Sequence, residues 1–159
     1  MDHFPAALKH ATVWLLLGTV VLLAVQAWQA EQRKARITVQ DGVVRLQRGA
    51  DGHFRWPGRV NGRAVEFLVD TGATGTALPE ALARQLGLVA HGSVRSHTAN
   101  GPVTGWLARA DVDLQGGLRA DRLQVTVLPA LTGPLLGMDV LGRLQFTQSD
   151  GTLLLQPPP

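Results

Sequence analysis

The chain has 159 residues with 15 Lys and Arg against 12 Asp and Glu, a formal charge of +3, no cysteine and no tyrosine. That length is one domain's worth, and with no cysteine the chain requires neither an oxidising nor a reducing compartment. The basic residues, nearly all Arg, stand singly with no run and no interleaved aromatics, which excludes a nucleic-acid partner and leaves a solvated Arg-rich surface.

Residues 1–10 form an N-terminal flank. Between His10 and Glu31 lie twenty residues without a charge, "ATVWLLLGTVVLLAVQAWQA". A helix of that length can cross a hydrocarbon core, and Trp14 and Trp28 stand near its two ends as interface anchors do. Two readings compete. One is an uncleaved transmembrane anchor over 11–30. The other is a secretory signal peptide, with Lys9 ahead of the apolar run and Val25-Gln26-Ala27 as a small-x-small cleavage site. The anchor is favoured because the run continues past Ala27; a buried soluble helix would be unusually apolar on every face. Arg33, Lys34 and Arg36 after the span favour a cytoplasmic domain by the positive-inside count. The signal-like start points the other way. The expectation adopted here is a single-pass protein of a bacterial inner membrane with its domain on the periplasmic side.

Residues 31–36 read as a polar linker, and 37–156 as many short strands followed by a Pro tail at 157–159. "RITVQ" and "VVRLQR" flank Asp41-Gly42, a dipeptide suited to type I′ hairpins because both central residues accept positive φ. Asp51-Gly52 repeats the signal, Asn61-Gly62 joins "HFRWPGRV" to "RAVEFLV", and Gly116-Gly117 and Asp150-Gly151 turn the later strands. Turn signals at roughly eight to twelve residue spacing predict an all-β sandwich or small barrel. Two short helices are predicted. Pro79 to Leu86 has Pro at a first-turn position and Gly87 as its stop; Met138 to Leu144 is opened by Gly137. No internal repeat is visible.

The chemistry concentrates in "VEFLVDTGATGTALPEALARQLG", Val65 to Gly87. Four of the five residues before Asp70 are apolar, so a buried strand ends in a carboxylate, which must be paired, protonated or aimed into a water-filled site. Gly72 permits positive φ and close approach of backbone N–H groups, Thr71 offers a hydroxyl, and Ala73 is small enough for something to lie against it. Alone, Asp-Thr-Gly also suits an ordinary turn acceptor.

With its apolar lead and following helix, "FLVDTGATGTAL" resembles the active-site signature of retropepsin-like aspartic proteases. "GHF" at 52–54, Asn61-Gly62, "TANG" at 98–101 and "LLGMDVLGRL" at 135–144 fall in the order seen in bacterial membrane-anchored members, so the resemblance covers roughly Val39 to Gln156. It implies a small closed retropepsin-like β-barrel with one or two short helices. It also implies that Asp70 is catalytic, that Thr71 braces paired loops across a subunit boundary, and that Gly72 allows their close approach. Ala73 and Thr74 would line the substrate site. Thr98, Ala99, Asn100 and Gly101 would form the tip of a flap over a peptide, where Asn100-Gly101 is itself a hairpin signal. Leu135, Leu136 and Gly137 would support the catalytic loop.

The mechanism needs two carboxylates that hold a water and share one proton, because like charges so close cannot both ionise. This chain shows one motif, so the expected active species is a homodimer with Asp70 from each subunit at the two-fold axis. Asp139 is the nearest rival within the chain, but it is better explained as favourable charge at a helix start. Two departures stand out. Thr74-Gly75 replaces the acidic residue that many retroviral enzymes carry after Asp-Thr-Gly-Ala. The closing prolines cannot donate ladder hydrogen bonds, so a terminal-strand interface extends no further than Gln156.

No cofactor or metal is expected: His3, His10, His53, His91 and His97 lack ligand-pair spacing. No Gly-rich phosphate loop and no Ser-His-Asp set is marked either. The reading is a membrane-anchored aspartic endopeptidase acting on extended peptides. The alternative is a non-catalytic module of the same fold that dimerises or binds peptides.

Overall fold

The computed structural model describes residues 6–33, 37–98 and 101–157, with side chains for 10–26, 37–97 and 101–157. Met1–Lys34 and Ala35–Pro159 form separate compact units. The first holds helix α1, Ala6–Arg33. Its described apolar side chains are exposed, Trp14 and Leu15 both at 71%. Among the described residues no helix is long and apolar enough to cross a membrane, and positions 27–30 of the expected span lie outside the described side chains. The helix runs three residues into the expected linker, because Glu31, Gln32 and Arg33 contain no helix breaker. Positions 34–36 lie outside the described residues, as do 1–5 and 158–159.

The second unit runs β1 (Ile37–Gln40), β2 (Val43–Gln47), β3 (Arg55–Val60), β4 (Arg63–Val69), β5 (Ala77–Pro79), α2 (Glu80–Gln85), β6 (Gly92–Thr98) and β7 (Gly101–Leu114). It continues through β8 (Arg119–Leu128), β9 (Leu135–Leu136), α3 (Met138–Leu141), β10 (Gln145–Ser149) and β11 (Thr152–Gln156). One sheet has the order β1-β2-β11-β10, all antiparallel. The other runs β3-β4-β9-β5-β8-β7, and a further β3–β7 pairing closes it into a barrel, with β6 hanging from β7 as a hairpin. Closure removes exposed edges from the ring. Inside lie Trp56, Val60, Phe67, Leu78, Val112, Val125, Val127 and Leu136, all essentially inaccessible.

The turns divide instructively. Asp41-Gly42, Asn61-Gly62 and Asp150-Gly151 carry paired positive φ values: 53° and 77°, 48° and 81°, and 48° and 72°. Each joins directly paired strands, as its dipeptide predicts. Asp51-Gly52 does not. Its flanking strands pair elsewhere, β2 with β1 and β11, β3 with β4 and β7, so this turn carries the chain between sheets. In α2, Pro79 is the N-cap and the last residue of β5 rather than a first-turn residue, and α3 stops at Leu141, short of Leu144. Both edges of β11 are taken within the chain, by β2 and β10.

Candidate active site

The C-terminal half of β4 is gripped from both sides. Val69 N–H donates to Phe54 O (3.0 Å), while Leu68 N–H and Asp70 N–H donate to Pro134 O (2.9 Å) and Leu136 O (3.0 Å). These last two bonds continue a parallel ladder in which Leu68 and Val69 pair with Leu135 and Leu136. Asp70 therefore leaves the strand pinned by its backbone, half-buried, with Thr71 and Gly72 exposed beyond it. Its Oδ1 accepts the Gly72 N–H at 2.9 Å, and its carbonyl accepts the Ala73 N–H at 3.3 Å. A Cβ at Gly72 would lie 3.2 Å from that Oδ1, and Gly72 is not among the positive-φ residues. Space beside the carboxylate, not a left-handed backbone, is what asks for glycine here.

The loop is then tied to the segment 137–139. Ala73 O accepts the Met138 N–H at 2.9 Å. A Cβ at Gly137 would sit 2.5 Å from the Gly75 carbonyl carbon, so the two backbones touch only because this residue has none. Thr76 is fully buried, and its Oγ1–H and N–H donate to the two Asp139 carboxylate oxygens at 2.9 and 3.0 Å. The Val140 N–H also donates to Asp139 Oδ1, and Thr126 N–H to Thr76 O, both at 3.0 Å. Asp139 is the acidic residue in the first turn of α3, as expected of a helix-start charge, and the structure adds a second role. The helix it opens has four residues, and its carboxylate serves chiefly as the acceptor that holds Thr76. Sequence reasoning passed over Thr76; a polar residue entering the apolar strand "ALP" was the available signal.

The structure therefore brings Asp70, Thr71, Gly72, Ala73 and Thr74 into one loop and sets Leu135, Leu136 and Gly137 beside it. Thr98 and Gly101 face each other at the end of the β6–β7 hairpin, with Ala99 and Asn100 outside the described residues. The expected turn dipeptide Asn100-Gly101 lies partly outside the described residues. Gly101, the first residue of β7, has φ 104°. Among the described residues no cluster of three His, Cys, Asp or Glu is placed to hold a metal ion.

Residues 56–143 match the family model of the gag-polyprotein putative aspartyl proteases, a stretch covering more than half of the chain. Among solved structures the chain is similar to a retropepsin-like aspartic protease from Rickettsia conorii. The TM-score is 0.57 at 26% identity, over 76% of this chain and 94% of that one. It is also similar in fold to the EIAV protease complexed with the inhibitor HBY-793. There the TM-score is 0.51 at 18% identity, over 58% of this chain and 88% of that one. No curated protein matches the sequence significantly.

Proposed function

The chain belongs to the gag-polyprotein aspartyl protease family, as a retropepsin-like aspartic endopeptidase, and on that premise we propose that it works as a homodimer built around Asp70. One observation carries the dimer: Asp139, the nearest candidate for a second carboxylate in the same chain, is occupied by Thr76. The second carboxylate then comes from another copy, across a two-fold axis. The Thr71 hydroxyl, exposed and without a partner among the described residues, braces the facing loop.

The two Asp70 carboxylates hold a water and share one proton. The ionised one removes a proton from the water as its oxygen bonds to the scissile carbonyl carbon. The protonated one gives its proton to the carbonyl oxygen. In collapse the amide nitrogen takes the proton of one carboxyl, and a hydroxyl of the tetrahedral intermediate returns a proton to the other carboxylate. The C–N bond breaks, and acid and amine leave with the dyad again holding one proton. The Gly72 N–H, already on Oδ1, orients the carboxylate throughout. Ala73, Thr74 and the flap residues Thr98, Ala99, Asn100 and Gly101 bind the extended peptide, with the Thr74 hydroxyl where many relatives carry an acid. Leu135, Leu136 and Gly137 keep the loop in place.

Residues 11–30 act as a single-pass anchor in a bacterial inner membrane, with the protease domain periplasmic. Helix α1 and the exposed apolar side chains described within 10–26 support this, together with the twenty uncharged residues of the sequence, the length a hydrocarbon core asks of a helix. Confinement to a membrane raises the effective concentration of subunits and favours the dimer.

The test compares the full chain with Asp70→Asn, both in neutral detergent micelles, on a diverse peptide mixture from acid to neutral pH. New termini are read by mass spectrometry, and association by sedimentation. Cleavage by the native chain that vanishes in a folded, dimeric variant is the expected result. Equal cleavage by both would refute the role of Asp70. Dimers that bind peptides without cleaving them would establish the non-catalytic alternative.

A further inference from the structure

Far from the catalytic loop, at the opposite end of β4, a shallow groove of about 600 Å³, wide open to solvent, is lined by Asn61, Leu88, Val89, His91, Arg109 and Arg122, together with Gly87. At about 3.3 Å per strand residue, the two ends of β4 lie roughly 20 Å apart, so this is a second site. Three observations set it apart from a solvated surface.

The first is charge without partners. Among the described residues the ion pairs join Arg55 to Asp51 and Glu66, Arg84 to Glu80, and Arg119 to Asp113 and Asp121. Neither Arg109 nor Arg122 has a carboxylate partner among those residues, yet both line one groove, with His91 beside them.

The second is backbone strain. Arg122 has φ 49°, a left-handed conformation that non-glycine residues adopt at a cost and that clusters at functional sites. It is held there by its N–H to Asp111 Oδ1 at 2.8 Å. Asp111 is the single β7 residue between Ala110 and Val112 that faces two residues, Asp121 and Arg122, of a bulge in β8, and it is itself fixed to Asn61 by two hydrogen bonds of 2.9 Å. Bulges re-aim side chains, and Arg122 is one of the two residues of this one. The Asp111 carboxylate is engaged with the Arg122 backbone and does not line the groove.

The third is the rim. Val89 is 79% exposed, the most exposed of the large apolar residues among those described, and Leu88 lies next to it. A polar anion has no use for such a rim, but an amphiphile has.

We propose that this groove binds a phosphate ester, with Arg109 and Arg122 clamping its oxygens and His91 as a further donor. The free oxygens of a phosphate ester carry lone pairs enough for both guanidinium groups. The apolar rim and the apolar helix α1 of the same chain make the phosphate of a phosphatidylglycerol headgroup the favoured source, with a soluble phosphate ester as the other.

The full chain in neutral detergent micelles is titrated by calorimetry with dihexanoyl-phosphatidylglycerol and, separately, with glycerol 3-phosphate. The same titrations are run on Arg109→Gln/Arg122→Gln and on Arg45→Gln/Arg143→Gln, which removes equal charge elsewhere. The expected result is saturable binding weakened at least about tenfold by the first pair, the scale of one charge-assisted contact, and unchanged by the second. Arg122→Gly adds a control for folding: it relieves the left-handed strain, so binding falls while the melting temperature does not. Binding of the lipid alone assigns a membrane source, and binding of glycerol 3-phosphate a soluble one. No saturable binding of either probe, or equal weakening by both double variants, overturns the proposal.

Discussion

The hydrogen bonds between Thr76 and Asp139 make a quantitative claim about how the catalytic loop is held. Thr76→Val removes the hydroxyl but keeps the volume, deleting one bond to a charged acceptor. Such a bond contributes about 2 kcal/mol. Asp139→Ala deletes both bonds to Thr76 and the one from Val140. It also leaves a fully buried hydroxyl and N–H without acceptors, for a loss of about 4 kcal/mol. The Oγ1–Oδ1 bond is removed by either change, so the double variant should lose about 4 rather than about 6 kcal/mol, a coupling of about 2 kcal/mol. Urea unfolding of the full chain, followed by the fluorescence of the buried Trp56, measures all four corners of the cycle. The slopes should agree, since the surface exposed on unfolding hardly changes. Additive losses, or an Asp139→Ala loss below about 1 kcal/mol, would refute the assignment of Asp139 as the loop's anchor and leave it a helix-start charge alone.

Three further outcomes are expected. Gly137→Ala places a methyl 2.5 Å from the Gly75 carbonyl carbon. Backbone cannot yield cheaply there, so a destabilisation of at least about 3 kcal/mol should appear in the same urea titration. Asp70→Asn keeps an oxygen to accept the Gly72 N–H, so cleavage should stop while stability shifts by less than about 1 kcal/mol. Asp51 is held well below the usual carboxylate range by its hydrogen bonds from the Arg55 guanidinium. A depressed folded pKa gives stability that is present above the unfolded value of about 4 and lost as pH falls towards the folded one. Melting temperature should therefore fall less steeply below pH about 4 in Asp51→Asn than in the native chain. The margin should be small, because the pair is exposed and water screens it.

What was legible in the sequence was local. A dipeptide such as Asn61-Gly62 supplies both positive φ angles and the strands that flank it, so the hairpin can be read from four adjacent residues. Asp51-Gly52 has the same chemistry and a different outcome, because its flanking strands find partners far along the chain. Barrel closure is of this second kind. It depends on β3 meeting β7 and on β4 meeting the two-residue strand β9, pairings whose strength lies in burial and not in any local pattern.

The catalytic loop divides along the same line. Asp70, Thr71 and Gly72 are adjacent because the carboxylate and the N–H that orients it must be adjacent, and so the chemistry shows in a tripeptide. What keeps that tripeptide still comes from far along the chain, from Gly137 and Asp139, which hold Thr76 at the loop's end from 61 and 63 residues away. An isolated Asp in that segment carries no mark of its role. The loop's own residues form few bonds to one another, so its geometry is inherited from β9 and the start of α3. Changes at Asp139 or Gly137 should then reach Asp70 without touching substrate, lowering turnover in proportion to the loop's loss of stability.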